Sequence, residues 1–177
     1  MNMRRFLVLS FCALWILPGA LASEYAIGTQ RVNLSGMFDP NTEGGSRFQL
    51  GFGYGQFVID TVELGGMFAI QADDVIETFS AGLYLEKNLY GGGPLIPFVG
   101  SSFQFISSNI DVQNLGVEKS ASGFGLGLYG GASIFVHPDI ALRAQVTFSA
   151  ATDDVYAEEE DIANTDIRLD IGLSFYF

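Results

Sequence analysis

Ile167-Arg168-Leu169-Asp170-Ile171-Gly172-Leu173-Ser174-Phe175-Tyr176-Phe177 alternates an apolar residue with one that is polar, small or amphipathic. Side chains switch faces at every residue of a β-strand. One face therefore carries Ile167, Leu169, Ile171, Leu173, Phe175 and Phe177, and the other carries Arg168, Asp170, Gly172, Ser174 and Tyr176. A strand of this kind lies between two different solvents. The alternation runs to the last residue of the sequence, so Phe177 is expected to be part of the strand and not a loose tail.

Working back along the chain, the same period recurs in seven more segments. About Tyr25 to Phe38 sets Val32, Leu34 and Phe38 against Arg31, Asn33 and Ser35. About Arg47 to Val58 sets Phe48, Leu50, Phe52 and Tyr54 against Gln49, Gly51, Gly53 and Gly55. About Thr61 to Ala72 sets Val62, Leu64, Phe68 and Ile70 against Glu63, Gly65, Met67 and Gln71. About Thr78 to Asn88 sets Phe79, Ala81, Leu83 and Leu85 against Ser80, Gly82, Tyr84 and Glu86. About Ile96 to Ser107 reads with Val99, Phe103 and Phe105 on the apolar face and Gly100, Ser102 and Gln104 on the other, although the opposite phase also fits. About Ser120 to Phe135 sets Phe124, Leu126, Leu128 and Ile134 against Gly123, Gly125, Gly127, Tyr129 and Ser133. About Ile140 to Ala151 sets Leu142, Ala144, Val146 and Phe148 against Arg143, Gln145, Thr147 and Ser149.

The less apolar face is mostly Gly, Ser, Gln, Asn and Tyr with few charges, which suits a narrow packed interior and not a water-facing surface rich in Lys, Glu and Asp. Inward glycines make room for Tyr84, Tyr129 and arginine side chains across a small barrel. The opposite face, crowded with Leu, Phe and Val, suits lipid. No apolar run after the first 22 residues is long enough for a membrane helix, and a closed barrel is the other structure that satisfies its backbone inside a bilayer. The fold class read from the chain is all-β: an eight-stranded antiparallel up-and-down transmembrane β-barrel.

Residues 1–22 read as a cleaved secretory signal peptide, and residues 23–177 as one barrel domain. Arg4 and Arg5 precede the apolar run from Phe6 to Leu17, and Pro18-Gly19 is followed by Ala20-Leu21-Ala22. The only cysteine, Cys12, lies inside that segment, leaving a mature chain without thiol or disulfide. Loss of Arg4 and Arg5 leaves six basic residues against all 20 acidic ones, a formal charge of −14. That excess disfavours nucleic acid as a partner. Short connections at Val58–Thr61, Asn88–Leu95 and Val136–Asp139 alternate with acidic ones at Asp39–Ser46, Asp73–Glu77, Ser108–Lys119 and Thr152–Thr165. With the N-terminus in the periplasm, the short turns are periplasmic and the acidic loops extracellular.

The signal, the eight alternating strands, Pro97-Phe98-Val99-Gly100 and Pro138-Asp139-Ile140-Ala141-Leu142-Arg143-Ala144 together resemble the small outer-membrane β-barrel family. That family includes the transmembrane domain of OmpA and the OmpX-like proteins. The resemblance implies an integral outer-membrane protein of a Gram-negative bacterium, monomeric, with outer-membrane lipid and lipopolysaccharide as its surroundings. It also implies contact with the barrel-assembly machinery during biogenesis, and Ile171, Leu173, Phe175 and Phe177 resemble the signal which that machinery reads. The expected role is structural or surface-facing. The alternatives are a narrow pore or transporter for small or hydrophobic solutes, and an adhesin acting through its loops.

The charges on the inward face are Glu63, Glu86, Arg143, Arg168 and Asp170, with Arg31 as a further candidate. A charge in a packed interior needs a partner, so Arg143 is expected between Glu63 and Glu86, with Arg168 and Asp170 as a second group nearer mid-barrel. An enzyme is not expected, because the one histidine, His137, falls in a short turn at the periplasmic end, away from outer-leaflet lipid. Asp153-Asp154 and Glu158-Glu159-Glu160-Asp161 do not have the spacing of a calcium loop. No cofactor or metal is expected.

Overall fold

A computed structural model describes residues 25–42, 45–72, 76–89, 94–112, 117–157 and 162–177. The expected signal segment 1–22, Cys12 and the acidic run 158–161 lie outside the described residues. The strands are β1 (Gln30–Thr42), β2 (Gly45–Ile59), β3 (Val62–Ala72), β4 (Ile76–Asn88), β5 (Leu95–Val112), β6 (Val117–His137), β7 (Ile140–Ala151), β8 (Tyr156–Ala157), β9 (Ile162–Ala163) and β10 (Thr165–Tyr176). β8 and β9 form a two-residue hairpin, and the eight longer strands close into one barrel. Each of the eight pairs antiparallel with its sequence neighbour, and β1 closes on β10. The result is an up-and-down barrel, as the alternation requires.

The two faces separate sharply. Leu64, Leu83, Phe103, Phe124, Val146 and Leu169 lie exposed on the outside, with Leu126 and Leu128 each 64% exposed and Ile167 74%. Burying a Leu or Phe side chain is worth about 1.5–3 kcal/mol in water. A wall with such residues exposed on every long strand is therefore built for an apolar surrounding. The interior holds what water would have taken: Arg31, Glu63, Glu86, Arg143, Ser102, Gln104, Thr147 and Ser174 are all buried. β5 takes the phase with Val99, Phe103 and Phe105 outward, and the same parity points Ile96, Phe98 and Ile106 inward.

Three boundaries depart from the sequence reading. β1 begins at Gln30 and not at Tyr25, because the chain from Tyr25 to Thr29 turns under the barrel mouth. There Gly28 N–H donates to the Phe57 carbonyl (2.9 Å) and Thr61 N–H to the Tyr25 carbonyl (3.0 Å). The expected loops Asp39–Ser46 and Ser108–Lys119 are largely strand, the ladders running to Thr42↔Gly45 and Val112↔Val117. Above the apolar belt, backbone pairing continues without an alternation to announce it. The segment Thr152–Thr165 contains the β8–β9 hairpin.

At the end with short turns, two-residue connections join β2 to β3 and β6 to β7. Each is flanked by a register shift, Phe57/Ile59 and Phe135/His137. Thr61 closes the first with φ 67°, a left-handed conformation uncommon for a branched residue. Phe177 stays on the ladder: Gln30 N–H donates to its carbonyl (2.8 Å), and its own N–H donates back to Gln30 (3.1 Å).

Candidate functional site

The lumen near the short-turn end is the most chemically organised part of the molecule. Glu63 on β3 and Glu86 on β4 are direct register partners, so two carboxylates point inward side by side. Like charges placed opposite one another repel. Two arginines from other parts of the wall resolve the conflict. Arg31 on β1 gives Nε to Glu63 Oε2 (3.1 Å) and Nη1 to Glu86 Oε1 (2.6 Å). Arg143 on β7 places Nη1 on Glu86 Oε1 (3.0 Å) and Nη2 on Oε2 (2.7 Å). Glu86 thus sits between two guanidinium forks, and the four charges cancel in a site buried from bulk solvent.

Aromatic rings line this centre. The Arg143 guanidinium lies 3.7 Å from the Phe98 ring centroid, and that of Arg31 lies 5.8 Å from the Tyr84 centroid. The Tyr84 hydroxyl donates to Glu63, and Ser133 Oγ lies 3.3 Å from Arg143 Nη1. Gly55, Gly65 and Gly100 form the floor under these rings. A Cβ on Gly65 would collide with the Tyr84 ring, and one on Gly100 with the Tyr129 ring. The inward glycines are therefore the spaces that large side chains from neighbouring strands occupy.

Nearer the short turns, Tyr25 enters the mouth. Its ring meets Phe57 (5.3 Å), Tyr176 (5.8 Å) and Phe135 (5.9 Å) edge-on, with Ile96 and Ala141 completing a buried cluster. Burial pushes the Tyr25 phenol far above its ordinary pKa, so it stays a neutral apolar stopper. An aromatic plug and a charged crossbar stand in series.

On the other side of the crossbar is the second group. Arg168 Nε pairs with Asp170 Oδ1 at 2.9 Å, and Asp170 Oδ2 accepts from Thr147 Oγ1 (3.3 Å) and Gln145 Nε2 (3.4 Å). A gap of about 80 Å³ separates the groups, room for a few ordered waters. Beyond it, toward the acidic connections, the lumen widens into a cavity of about 340 Å³ bordered by Gln49, Gln104, Ser149, Tyr156 and Arg168.

The residues singled out from sequence are thus placed as follows. Glu63, Glu86 and Arg143 occupy one cluster, but Arg143 bonds Glu86 and not Glu63. Glu63 is taken by Arg31, which lies nearer across the barrel. Arg168 and Asp170 stand apart from them, paired with each other. Ile171, Leu173 and Phe177 are exposed along the outer face of β10, and Phe175 is half-buried. His137 is exposed at the end of β6, its Nδ1 3.7 Å from Asp139 Oδ2. Sequence reasoning missed the stopper Tyr25 and the stacking ring Phe98. The inward parity of β5 could have found Phe98, while nothing local marks Tyr25.

No family model matches the sequence, and no curated protein matches it. Solved structures do match in fold. The N-terminal β-barrel domain of OprF from Pseudomonas aeruginosa aligns with TM-score 0.62 at 15% identity, covering 85% of this chain and 98% of that one. Neisserial surface protein A aligns with TM-score 0.59 at 16% identity, covering 84% of this chain and 96% of that one. The outer membrane protein OprG from Pseudomonas aeruginosa aligns with TM-score 0.53 at 16% identity, covering 87% and 98%. The chain has the fold of the small eight-stranded outer-membrane barrels.

Proposed function

We propose that this chain is an integral outer-membrane barrel whose lumen is closed to through-passage, and that it serves the envelope as a rigid element presenting its acidic connections to the outside. The carrying observation is the crossbar of Arg31, Glu63, Glu86 and Arg143, backed by the Tyr25 plug, inside a wall whose outer face is apolar. An ion entering the lumen would have to displace four mutually bonded buried charges and then an aromatic cluster. The apolar exterior and the fold shared with outer-membrane barrels support this location, with the short turns in the periplasm.

The test is a planar bilayer recording of the refolded protein, with unboiled and boiled samples compared on gels to establish the folded barrel. The expected result is a heat-dependent shift in migration and a flat current trace. Discrete conductance steps from the wild-type barrel would favour the narrow-pore reading. In that case the crossbar is a gate, and Arg143→Ala would change the step size.

A further inference from the structure

Toward the acidic end the interior trades charge for amides. Gln49 on β2 stands opposite Gln71 on β3 in the ladder, and Gln71 stands opposite Thr78 on β4. Gln104 on β5 borders the same space, so four adjacent strands line one side of the cavity of about 340 Å³ with neutral polar groups. Gln49 and Gln104 are buried, at 5% and 6% exposure. Among the described residues, Gln49 Oε1 has no hydrogen-bond donor, and the side chains of Gln71, Ser80 and Gln104 have no partner. Thr78 is engaged instead: its Oγ1 lies 3.0 Å from Ser108 Oγ, which donates to the Val155 carbonyl (2.8 Å). Those bonds hold Val155 against the cavity. The charges at its border are engaged too, Arg168 Nε with Asp170 Oδ1 at 2.9 Å and Asp166 with a partner of its own.

An amide side chain carries both donors and an acceptor, and a hydroxyl does both at one atom. A wall of such groups matches a ligand that also donates and accepts at each polar atom. Each polar group buried without a partner costs about 1–3 kcal/mol, which a ligand supplying that partner recovers. Neighbouring strands stand ~4.8 Å apart, close to the separation of alternate equatorial hydroxyls on a pyranose ring. Ile106 and Val155, both buried, border the cavity together with Tyr156 and offer an apolar patch for the carbon face of such a ring. The volume lies at the small end of the roughly 300–1,000 Å³ of small-molecule sites, which admits one ring-sized solute.

We infer that the upper lumen is a binding site for a neutral polyhydroxylated solute the size of one monosaccharide. Its hydroxyls bond Gln49, Gln71, Ser80 and Gln104, and its carbon face lies on Ile106, Val155 and Tyr156. A charged analogue binds less well. Arg168, Asp170 and Asp166 already have partners, so an ammonium or a carboxylate would lose water without gaining a free counterion. The crossbar below stays shut, so the solute enters and leaves at the acidic end. The site rests on the closed barrel proposed above, and its test keeps the two apart.

The refolded protein, labelled with nitrogen-15 in phosphatidylcholine nanodiscs, is titrated with methyl glucoside, with glucosamine in its ammonium form and with glucuronate, and its side-chain amide signals are followed by NMR. Methyl glucoside should shift Gln49, Gln71 and Gln104 to saturation. Gln30 and Gln56, bonded to Tyr54 and to the Gly28 carbonyl at the short-turn end, should not move. The two charged sugars should bind about tenfold more weakly. Gln104→Leu and Gln71→Leu should each weaken methyl glucoside about three- to tenfold, the loss of neutral hydrogen bonds, so that one is read even where the other fails to fold. Ser80→Phe fills the cavity and should abolish the shifts. No saturable shift in a barrel that migrates as folded on unboiled gels means that the amides hold water alone, and it overturns the site. Equal affinity for either charged sugar, or equal shifts at Gln30 and Gln56, overturns it as well. A missing gel shift overturns the barrel itself, and the site with it.

Discussion

The crossbar makes a quantitative prediction, because its four charges sum to zero and share one carboxylate. Arg143→Met removes one cation but keeps an aliphatic stem over Phe98, and it leaves Glu86 with Arg31 alone. Glu86→Gln removes the shared anion and leaves Arg143 with Ser133 and the Phe98 ring. Breaking a buried ion pair by deleting one member costs about 3–5 kcal/mol, since the other charge stays buried without its counterion. Glu86→Gln should lie at the upper end, because it strips two arginines, and Arg143→Met at the lower. The double variant removes one charge of each sign, and Arg31 keeps Glu63 at 3.1 Å. It should be destabilised by only about 1–3 kcal/mol, well short of the roughly 8 kcal/mol sum of the singles. Urea titration in phosphatidylcholine vesicles, read as the folded fraction on unboiled gels, gives all three values. If the singles add to within about 0.5 kcal/mol of the double, the charges are not coupled through shared contacts and the crossbar is not a unit.

Three further outcomes follow from other parts of the wall. Gly65→Ala and Gly100→Ala drive a Cβ into the Tyr84 and Tyr129 rings and should each cost about 1–3 kcal/mol. Gly66→Ala, whose Cβ meets nothing nearer than the Gly82 carbonyl at 3.8 Å, should stay within about 0.5 kcal/mol in the same titration, and equal effects at Gly65 and Gly66 would refute the packing account. Leu128→Arg, on the outer face partway along β6, should cost about 2–4 kcal/mol in vesicles, against about 0–1 for Val136→Arg beside the short turn; matched values would mean that the outer face meets water. Deleting Phe177 removes both backbone bonds to Gln30 and should lower the yield of heat-shifting protein on refolding, while Phe177→Leu, which keeps them, should not.

The alternation made the barrel legible, because a wall between lipid and a packed lumen imposes period two on every strand that crosses it. It also put Glu63, Glu86, Arg143, Arg168 and Asp170 on the inward face, since face is a local property. Which charge meets which is not local. Arg31 and Glu86 lie 55 residues apart and meet only because closing eight strands brings β1 across from β4. Face alone puts Arg143 between both carboxylates, whereas the geometry gives Glu63 to Arg31. The sequence reading extends the first strand back to Tyr25, yet its ring is buried inside the mouth against Phe57, Phe135 and Tyr176. The strand lengths beyond the belt were hidden for a further reason: where a ladder no longer divides lipid from a packed lumen, nothing imposes period two on its side chains.

The closing ladder also sets an order of events in time. It joins the two ends of the sheet: Ser174 Oγ meets Asn33 Oδ1 at 3.0 Å across a separation of 141 residues. The other ladders join neighbours in sequence through short connections, whereas this one joins strands whose separation becomes short only once the strands between them are paired. β1 therefore waits, its free side unmatched, until β10 arrives. With six pairs, counting Gln30 with Phe177, against eleven on the other side of β10, this junction is the shortest ladder among the described residues and should be the first to open in hydrogen exchange.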